Sequence, residues 1–414
     1  LGAILMIELL QRKRSPSLTL CFLAFVLFFP ACSSTVGYRE KSKLSPKAKN
    51  IVFMVPDGMG LSNVTAARVF KDGHNGDPLY LETLTSIGYQ RTHSANSTIT
   101  DSAAAASAWA SGEKFRNGEI SCHDEDQDGK CEPAPVATIL ELAKEKGKAT
   151  GLVATSTITD ATPAPFAAHV HTRQCENEIA RQYIQVTEVE VILGGGKTRF
   201  TSTEGEADVC GTFGNFIADA IDKGYEVVYT KNTLTDAVSS GAKKILGLFS
   251  PAGKTPEFFR ADPEQVYPAD EPTLSEMTAA ALEILEKDVD GFFLVVEGSQ
   301  IDWANHHNNF FHQICETLAF DEAVKVVLDW INQEPSRKLS TLVIIAPDHE
   351  TGGFSISGPK GELAQPGDFV EEAWISGKHT GNDVLIWSEG PGSHRLARVL
   401  DNTDIFSVMK DVLR

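Results

Sequence analysis

Continuous apolar runs recur along the chain at Asn50–Pro56, Thr150–Ala154, Val189–Leu193, Lys244–Phe249, Gly291–Val296, Thr341–Ala346 and Asp383–Trp387. Each has the length of a strand and shows no polar alternation, the pattern of strands covered on both faces. Amphipathic patterns of helical period lie between them, as at Val136–Lys146, Thr273–Lys287 and Glu316–Asn332. The alternation predicts an α/β fold: a large, mainly parallel central sheet with helices on both faces. No internal repeat and no long linker follows residue 50, so residues 50–414 are expected to form one domain.

One helical stretch is unlike the others. Thr100 to Gly112 reads T-D-S-A-A-A-A-S-A-W-A-S-G, with Thr100 or Asp101 available as the cap. Ser102 then falls in the first turn, where free amides and the helix dipole favour an anion. Asp101 beside it could orient a cation.

Ligands of such sheets bind beyond the carboxyl ends of the strands. That rule selects Asp57, Asp160, Thr162, Glu297, Asp302, His306, Asp348, His349 and His379. Asp302 and His306 are four apart and share one helix face, so both can hold one ion with His379 as a third ligand. Asp57, Asp348 and His349 can hold a second. Asp57, Thr162 and Glu297 offer only oxygens, a set that suits magnesium. His307 and His312 fit the spacing less well and are expected to be structural.

The N-terminal residues predict a targeting segment, 1–32. Arg12-Lys-Arg14 is basic, and Leu18–Phe29 is apolar but too short for a membrane span. Phe29-Pro-Ala-Cys32 resembles a bacterial lipoprotein box, with Cys32 as the lipid-bearing residue and membrane tether; a simple secretory signal is the alternative. Residues 33–49 read as a polar, lysine-rich tether. Export to the periplasm or the outer membrane permits disulfides. Cys122–Cys131 and Cys175–Cys210 are the expected pairs, with Cys315 left as a buried thiol. The net charge of −19 argues against nucleic-acid binding. It does not exclude an anionic substrate, because bound metal ions reverse the local field.

Within residues 113–135, an acidic insertion bracketed by cysteines, Asp124, Asp126, Asp128 and Gly129 have the D-x-D-x-D-G spacing of half a calcium loop. Pro135 stands where the closing glutamate would be, so calcium and a solvated acidic turn remain alternatives. Gly194-Gly-Gly-Lys-Thr198 lacks the first glycine of a phosphate loop and reads as a strand-to-loop turn.

Several stretches together resemble the alkaline phosphatases: Val55-Pro-Asp-Gly-Met-Gly60, Thr100-Asp-Ser-Ala-Ala104, Thr159–Ala164 with His169 and Arg173, Val189–Gly196, Val296–Asp302 with His306, Pro347-Asp-His349, and Lys378-His-Thr-Gly381. The resemblance implies a metal-dependent phosphomonoesterase with two zinc ions and one magnesium ion. Ser102 would be the nucleophile, forming a phosphoserine, and Arg173 the phosphate clamp oriented by Asp101. Zinc would sit on Asp57, Asp348 and His349, and on Asp302, His306 and His379. Magnesium would sit on Asp57, Thr162 and Glu297, with Asp160 arranging its waters. Trp303 faces the substrate where enteric members carry a lysine. A homodimer is implied, with a small crown insertion at residues 352–377. The alternatives are a phosphodiesterase of the same superfamily and a non-catalytic metal-binding surface lipoprotein.

Overall fold

The computed structural model describes residues 47–261, 268–357 and 363–414. The targeting segment, Cys32 and most of the 33–49 tether lie outside them. Ala48 and Lys49, read as the end of that tether, are already docked. The Ala48 amide donates to Val412 O at 2.8 Å and that of Lys49 to Ser340 O at 2.7 Å.

The main sheet has ten strands: β1 (Asn50–Pro56), β2 (Ser86–Arg91), β3 (Ala149–Thr157), β4 (Val191–Gly195), β5 (Glu226–Val228), β6 (Ile245–Leu248), β7 (Phe292–Gly298), β8 (Thr341–Ile345), β9 (Val384–Glu389) and β10 (Val399–Asp401). Their spatial order is β10-β2-β9-β8-β1-β7-β3-β4-β6-β5. β9 pairs antiparallel with both β8 and β2, while the remaining neighbours pair in parallel. All the predicted apolar runs are strands of this sheet. β2, β5 and β10 were not foreseen, because β5 and β10 are only three residues long and β2 carries Gly88 and Gln90 at its buried positions.

Alternation along the strands divides the core in two. Ile51, Phe53 and Val55 of β1, with Leu342 and Ile344 of β8, face one cluster. Helices α2 (Ser102–Ser111), α3 (Ile139–Glu145), α4 (Glu176–Gln185) and α8 (Asn402–Val412) cover it. Val52 and Met54, with Val343 and Ile345, face the other, covered by α1 (Leu61–Asp72), α5 (Leu274–Leu285) and α7 (Phe310–Asn332). The fold is therefore α/β with helices on both faces. α7 starts at Phe310, earlier than its apolar period suggests, because Asn309 caps it by accepting from the His312 amide at 3.0 Å.

α2 is buried along its whole length. Its small residues let it pack between the sheet and α8, and Trp109 anchors it. The Trp109 indole donates to Gln90 Oε1 at 2.9 Å, and Gln90 Nε2 donates to Pro347 O at 2.6 Å. The helix is thereby tied to the turn that carries Asp348 and His349.

Both disulfides, Cys122–Cys131 and Cys175–Cys210, are present. Cys315 is free but only half-buried, not the buried thiol expected, because its position on α7 lies at the edge of the packed face. The excursion after β8 is a small pair of ribbons, Glu350–Thr351 with His379–Thr380 and Ser355–Ile356 with Glu372–Ala373. Gly194–Thr198 was read as a strand-to-loop turn; Gly196 is left-handed (φ 89°) and turns β4 instead into a short helix, Lys197–Phe200.

Candidate active site

The site is built where β1, β3, β7 and β8 end. Asp57 follows β1, Glu297 closes β7, Asp348 and His349 follow β8, and Asp160 and Thr162 follow β3. Asp302 and His306 lie on α6 (Gln300–His306), the helix entered directly from β7. His379 arrives on the ribbon with Glu350–Thr351. Gly58, left-handed at φ 71°, makes the close approach between the first turn and α6 possible: a Cβ there would lie 2.7 Å from Asp302.

Two groups of side chains converge. In the first, His349 Nε2 is 2.9 Å from Asp348 Oδ2 and 3.8 Å from Asp57 Oδ1. Ser102 Oγ lies 3.3 Å from the same Nε2. In the second, His306 Nε2 is 3.2 Å from Asp302 Oδ2 and 3.1 Å from His379 Nε2, and His379 Nε2 is 3.6 Å from Asp302 Oδ1. The His349 and His379 rings stack with centroids 3.5 Å apart and join the groups.

The residues fit metal ions on three observations. Asp57 Oδ1 and Asp348 Oδ2 are buried and have no hydrogen-bond partner. Buried carboxylate oxygens need a donor or a cation. Ligand atoms around a tetrahedral ion bound at about 2.0–2.1 Å lie roughly 3.3 Å apart, and the separations above scatter about that value. Finally, the three imidazoles share one tautomer. His306 Nδ1 donates to Gly377 O at 2.8 Å, and His379 Nδ1 to Thr100 O at 3.0 Å. Thr351 Oγ1 donates to Asp302 Oδ1 at 2.5 Å, so it accepts from His349 Nδ1 at 3.2 Å. With each Nδ1 so engaged, Nε2 is in every case the nitrogen that faces the cluster and is free to ligate.

Next to the first group, Thr162 Oγ1 donates to Asp57 Oδ2 at 3.4 Å, and Ser156 Oγ to Glu297 Oε2 at 3.3 Å. Burial, followed by the charge of Asp160, pushes the Glu297 carboxyl up to about 8. Burial also raises Asp57, with Asp348, Asp302 and Glu297 adding to the effect. Burial opposes ionisation of Asp348, but the adjacent His349 outweighs it and holds that carboxyl below the usual range. This concentration of acids is what a multivalent cation compensates.

Arg173 reaches the site from the loop before α4. Its Nη1 donates to Asp101 Oδ2 at 3.3 Å and its Nη2 to Asp160 Oδ1 at 2.9 Å. Asp101 is the cap of α2: Oδ1 accepts from the Ala104 amide at 3.0 Å, and Oδ2 also accepts from Gly118 N at 3.0 Å. The helix cap and the arginine brace are one carboxylate. Trp303 is half-buried, its ring against Gly253, where a Cβ would come within 2.5 Å.

The sequence reading missed the supports. Thr351 and the second brace of Arg173, Asp160, are two. A buried amide network is the third: Asn63 Nδ2 donates to Asn305 Oδ1 at 3.0 Å and to Gln313 Oε1 at 2.9 Å, and Asn305 Nδ2 to Gly58 O at 3.0 Å. Single polar letters within helical patterns gave no signal for it. His307 and His312 stay outside the cluster, bound to Trp303 O and Glu316 respectively. His169 also stands apart, with Nε2 3.1 Å from Glu141 Oε1. Asp124, Asp126 and Asp128 form a separate group.

Comparison with known proteins gives one answer. The family described as alkaline phosphatase matches residues 48–372. Alkaline phosphatase 3 of Bacillus subtilis (strain 168) is 32% identical over 95% of either chain. The streptomycin-6-phosphate phosphatase of Streptomyces griseus is 32% identical, covering 93% of this chain and 94% of that protein. Among solved structures, the alkaline phosphatase of the Antarctic bacterium TAB5 superposes with a TM-score of 0.74 at 29% identity, over 89% of this chain and 98% of that one. A histidine-to-aspartate variant of that enzyme was solved with magnesium bound. The Thermus thermophilus alkaline phosphatase superposes at 0.75 with 26% identity, over 94% and 96% of the two chains.

Proposed function

The chain belongs to the alkaline phosphatase family, and on that premise we propose that it hydrolyses phosphate monoesters by transferring the phosphoryl group to Ser102 and then to water. The observation that carries the reading is the position of Ser102 Oγ. It stands at the N-terminal end of buried helix α2, 3.3 Å from His349 Nε2.

Asp57, Asp348 and His349 would hold one zinc ion, and Asp302, His306 and His379 a second. Asp57, Thr162 and Glu297 would hold magnesium, with Asp160 next to it. These ions would supply charge neutralisation, a lowered pKa for the attacking oxygens and a Lewis acid for the leaving alkoxide. The magnesium-bound aspartate variant of the TAB5 enzyme supports an aspartate-rich third site.

The chain's own residues do the rest. The first amides of α2 face the phosphate oxygens, and Arg173 presents a planar fork to two of them. Asp101 and Asp160 hold that fork from both sides and keep it from swinging out. Ser102 Oγ bonds to phosphorus as the bond from phosphorus to the alcohol oxygen breaks, and the serine proton ends, by way of solvent, on the departing alcohol. Water then attacks the phosphoserine from the side the alcohol vacated; the bond from phosphorus to Ser102 Oγ breaks, inorganic phosphate leaves, and a proton from the water restores the hydroxyl. Trp303 would line the alcohol side, where it offers contact area but no charge.

The monoester reading is favoured over the diester one by Thr162 and Glu297, which complete an oxygen-only third site. The named activity of the Streptomyces relative is also on a monoester. Export fits the two disulfides; a homodimer is carried by family resemblance. The test compares turnover of nitrophenyl phosphate and bis-nitrophenyl phosphate by the wild type and Ser102→Ala. Full activity in Ser102→Ala overturns the nucleophile, and faster diester turnover overturns the substrate class.

A further inference from the structure

A second group of acidic side chains lies away from the catalytic cluster, in the loop closed by the Cys122–Cys131 disulfide. One oxygen from each of Asp124, Asp126 and Asp128 lies within 4.8 Å of the other two. Three acids on an exposed loop would ordinarily be solvated and unremarked. Asp124 differs, because it is only 7% exposed. Its Oδ2 accepts from the Gly129 amide at 3.1 Å, but its Oδ1 is buried and accepts no hydrogen bond. A buried carboxylate oxygen with no donor, grouped with two further carboxylates, lacks a positive partner. The cation within the loop is Lys130, and its ammonium is committed to Asp128.

We propose that Asp124, Asp126 and Asp128 bind one calcium ion. Oxygen-only, flexible ligation by a short loop suits calcium, whereas magnesium demands stricter octahedral geometry and zinc prefers nitrogen or sulfur. A polar cavity of about 580 Å³, lined by Asp124, Asp128, Glu119, Arg116, Asn96 and His171, opens beside the loop and admits the ion with its waters. The guanidinium of Arg116 on the cavity wall and the missing closing glutamate both lower the affinity, placing the dissociation constant between about 1 μM and 1 mM. The ion's role is structural. The Asp124 amide donates to Glu119 Oε1 at 3.2 Å, and Glu119 Oε2 accepts from Arg116 N at 2.8 Å. The adjacent Gly118 holds Asp101 through its amide and Arg173 through its carbonyl, the latter at 2.7 Å. Calcium would stiffen the turn on which the arginine brace is mounted.

The test uses the full chain loaded with zinc and magnesium, its cystines intact, freed of calcium and titrated with calcium chloride by calorimetry in excess magnesium. The expected result is one binding event, with a calcium-dependent rise in Tm. In Asp126→Asn, a substitution at an exposed position, binding weakens at least tenfold and the rise in Tm is lost. No binding by the wild type, or equal binding by wild type and Asp126→Asn, overturns the proposal.

Discussion

The hydroxyl of Thr351 donates to Asp302 Oδ1 at 2.5 Å and, having spent its proton there, accepts from His349 Nδ1 at 3.2 Å. One small side chain therefore orients a candidate ligand in each of the two converging groups. Thr351→Val keeps the shape and removes both bonds. It is expected to weaken zinc binding about 10- to 100-fold, with activity restored by added zinc. Metal content after dialysis against graded chelator checks this; unchanged zinc retention would refute it.

Asp101 has two tasks that two substitutions separate. Asp101→Asn keeps an oxygen for the Ala104 amide but loses the charge facing Arg173. KM for nitrophenyl phosphate should rise about two- to fivefold, the size of a partly exposed ion pair, with Tm almost unchanged. Asp101→Ala should show the same KM effect and lose a further ~1 kcal/mol of stability with the cap. Steady-state kinetics and thermal melts of both variants decide it.

The candidate ligands were the most legible part of the sequence. Asp57, Asp348 and His349 follow apolar strands directly, and the strand-end rule selects them without any knowledge of pairing. The α/β class followed from the same runs. The direction of β9 did not, because an apolar run carries no polarity. Thr351, Asn63 and Asn305 were hidden for another reason. Their partners are distant in the chain, and a lone threonine or asparagine has the same local appearance whether it supports a metal ligand or faces water.

The pair of His169 and Glu141 gives a pH dependence away from the catalytic cluster. Burial opposes the charge on both groups, yet their mutual hydrogen bond and charge prevail, raising His169 above 6.5 and lowering Glu141 below 4.5. The histidine's contribution is complete below 6.5 and fades as pH rises through its folded value. The glutamate's is complete above 4.5 and is lost as pH falls through its lowered value. His169→Gln should therefore cost most near pH 5.5, about 1.5–3 kcal/mol for a charge-assisted bond, and less at pH 9. Denaturant melts across that range test the sign; a larger loss at pH 9 would contradict it.

Lys254 and Glu271 form an ion pair at 3.2 Å with side chains 1% and 3% exposed. Burial lowers the lysine, and Glu271 draws it back only in part. Lys254→Met leaves a buried carboxylate without its partner and should cost about 3–5 kcal/mol. Lys254→Met with Glu271→Met should recover most of that. Equal stability of the single and double variants would show that the pair is not coupled.

The position of β1 has a further consequence, for the order in which the protein can come into being. Among the described residues it is the first strand in the chain, yet it lies inside the sheet between β7 and β8, both from late in the chain. Gly58 and Asp348 are bonded across 290 residues and Asn63 and Asn305 across 242. Contacts so distant form late and slowly. A chain that has emerged only as far as β7 already carries Ser102, Arg173 and Asp57 but lacks Asp348, His349 and His379. Ser102, the proposed nucleophile, therefore exists long before the groups proposed to activate it are present, and activity should arrive in a single late step as the last strands dock.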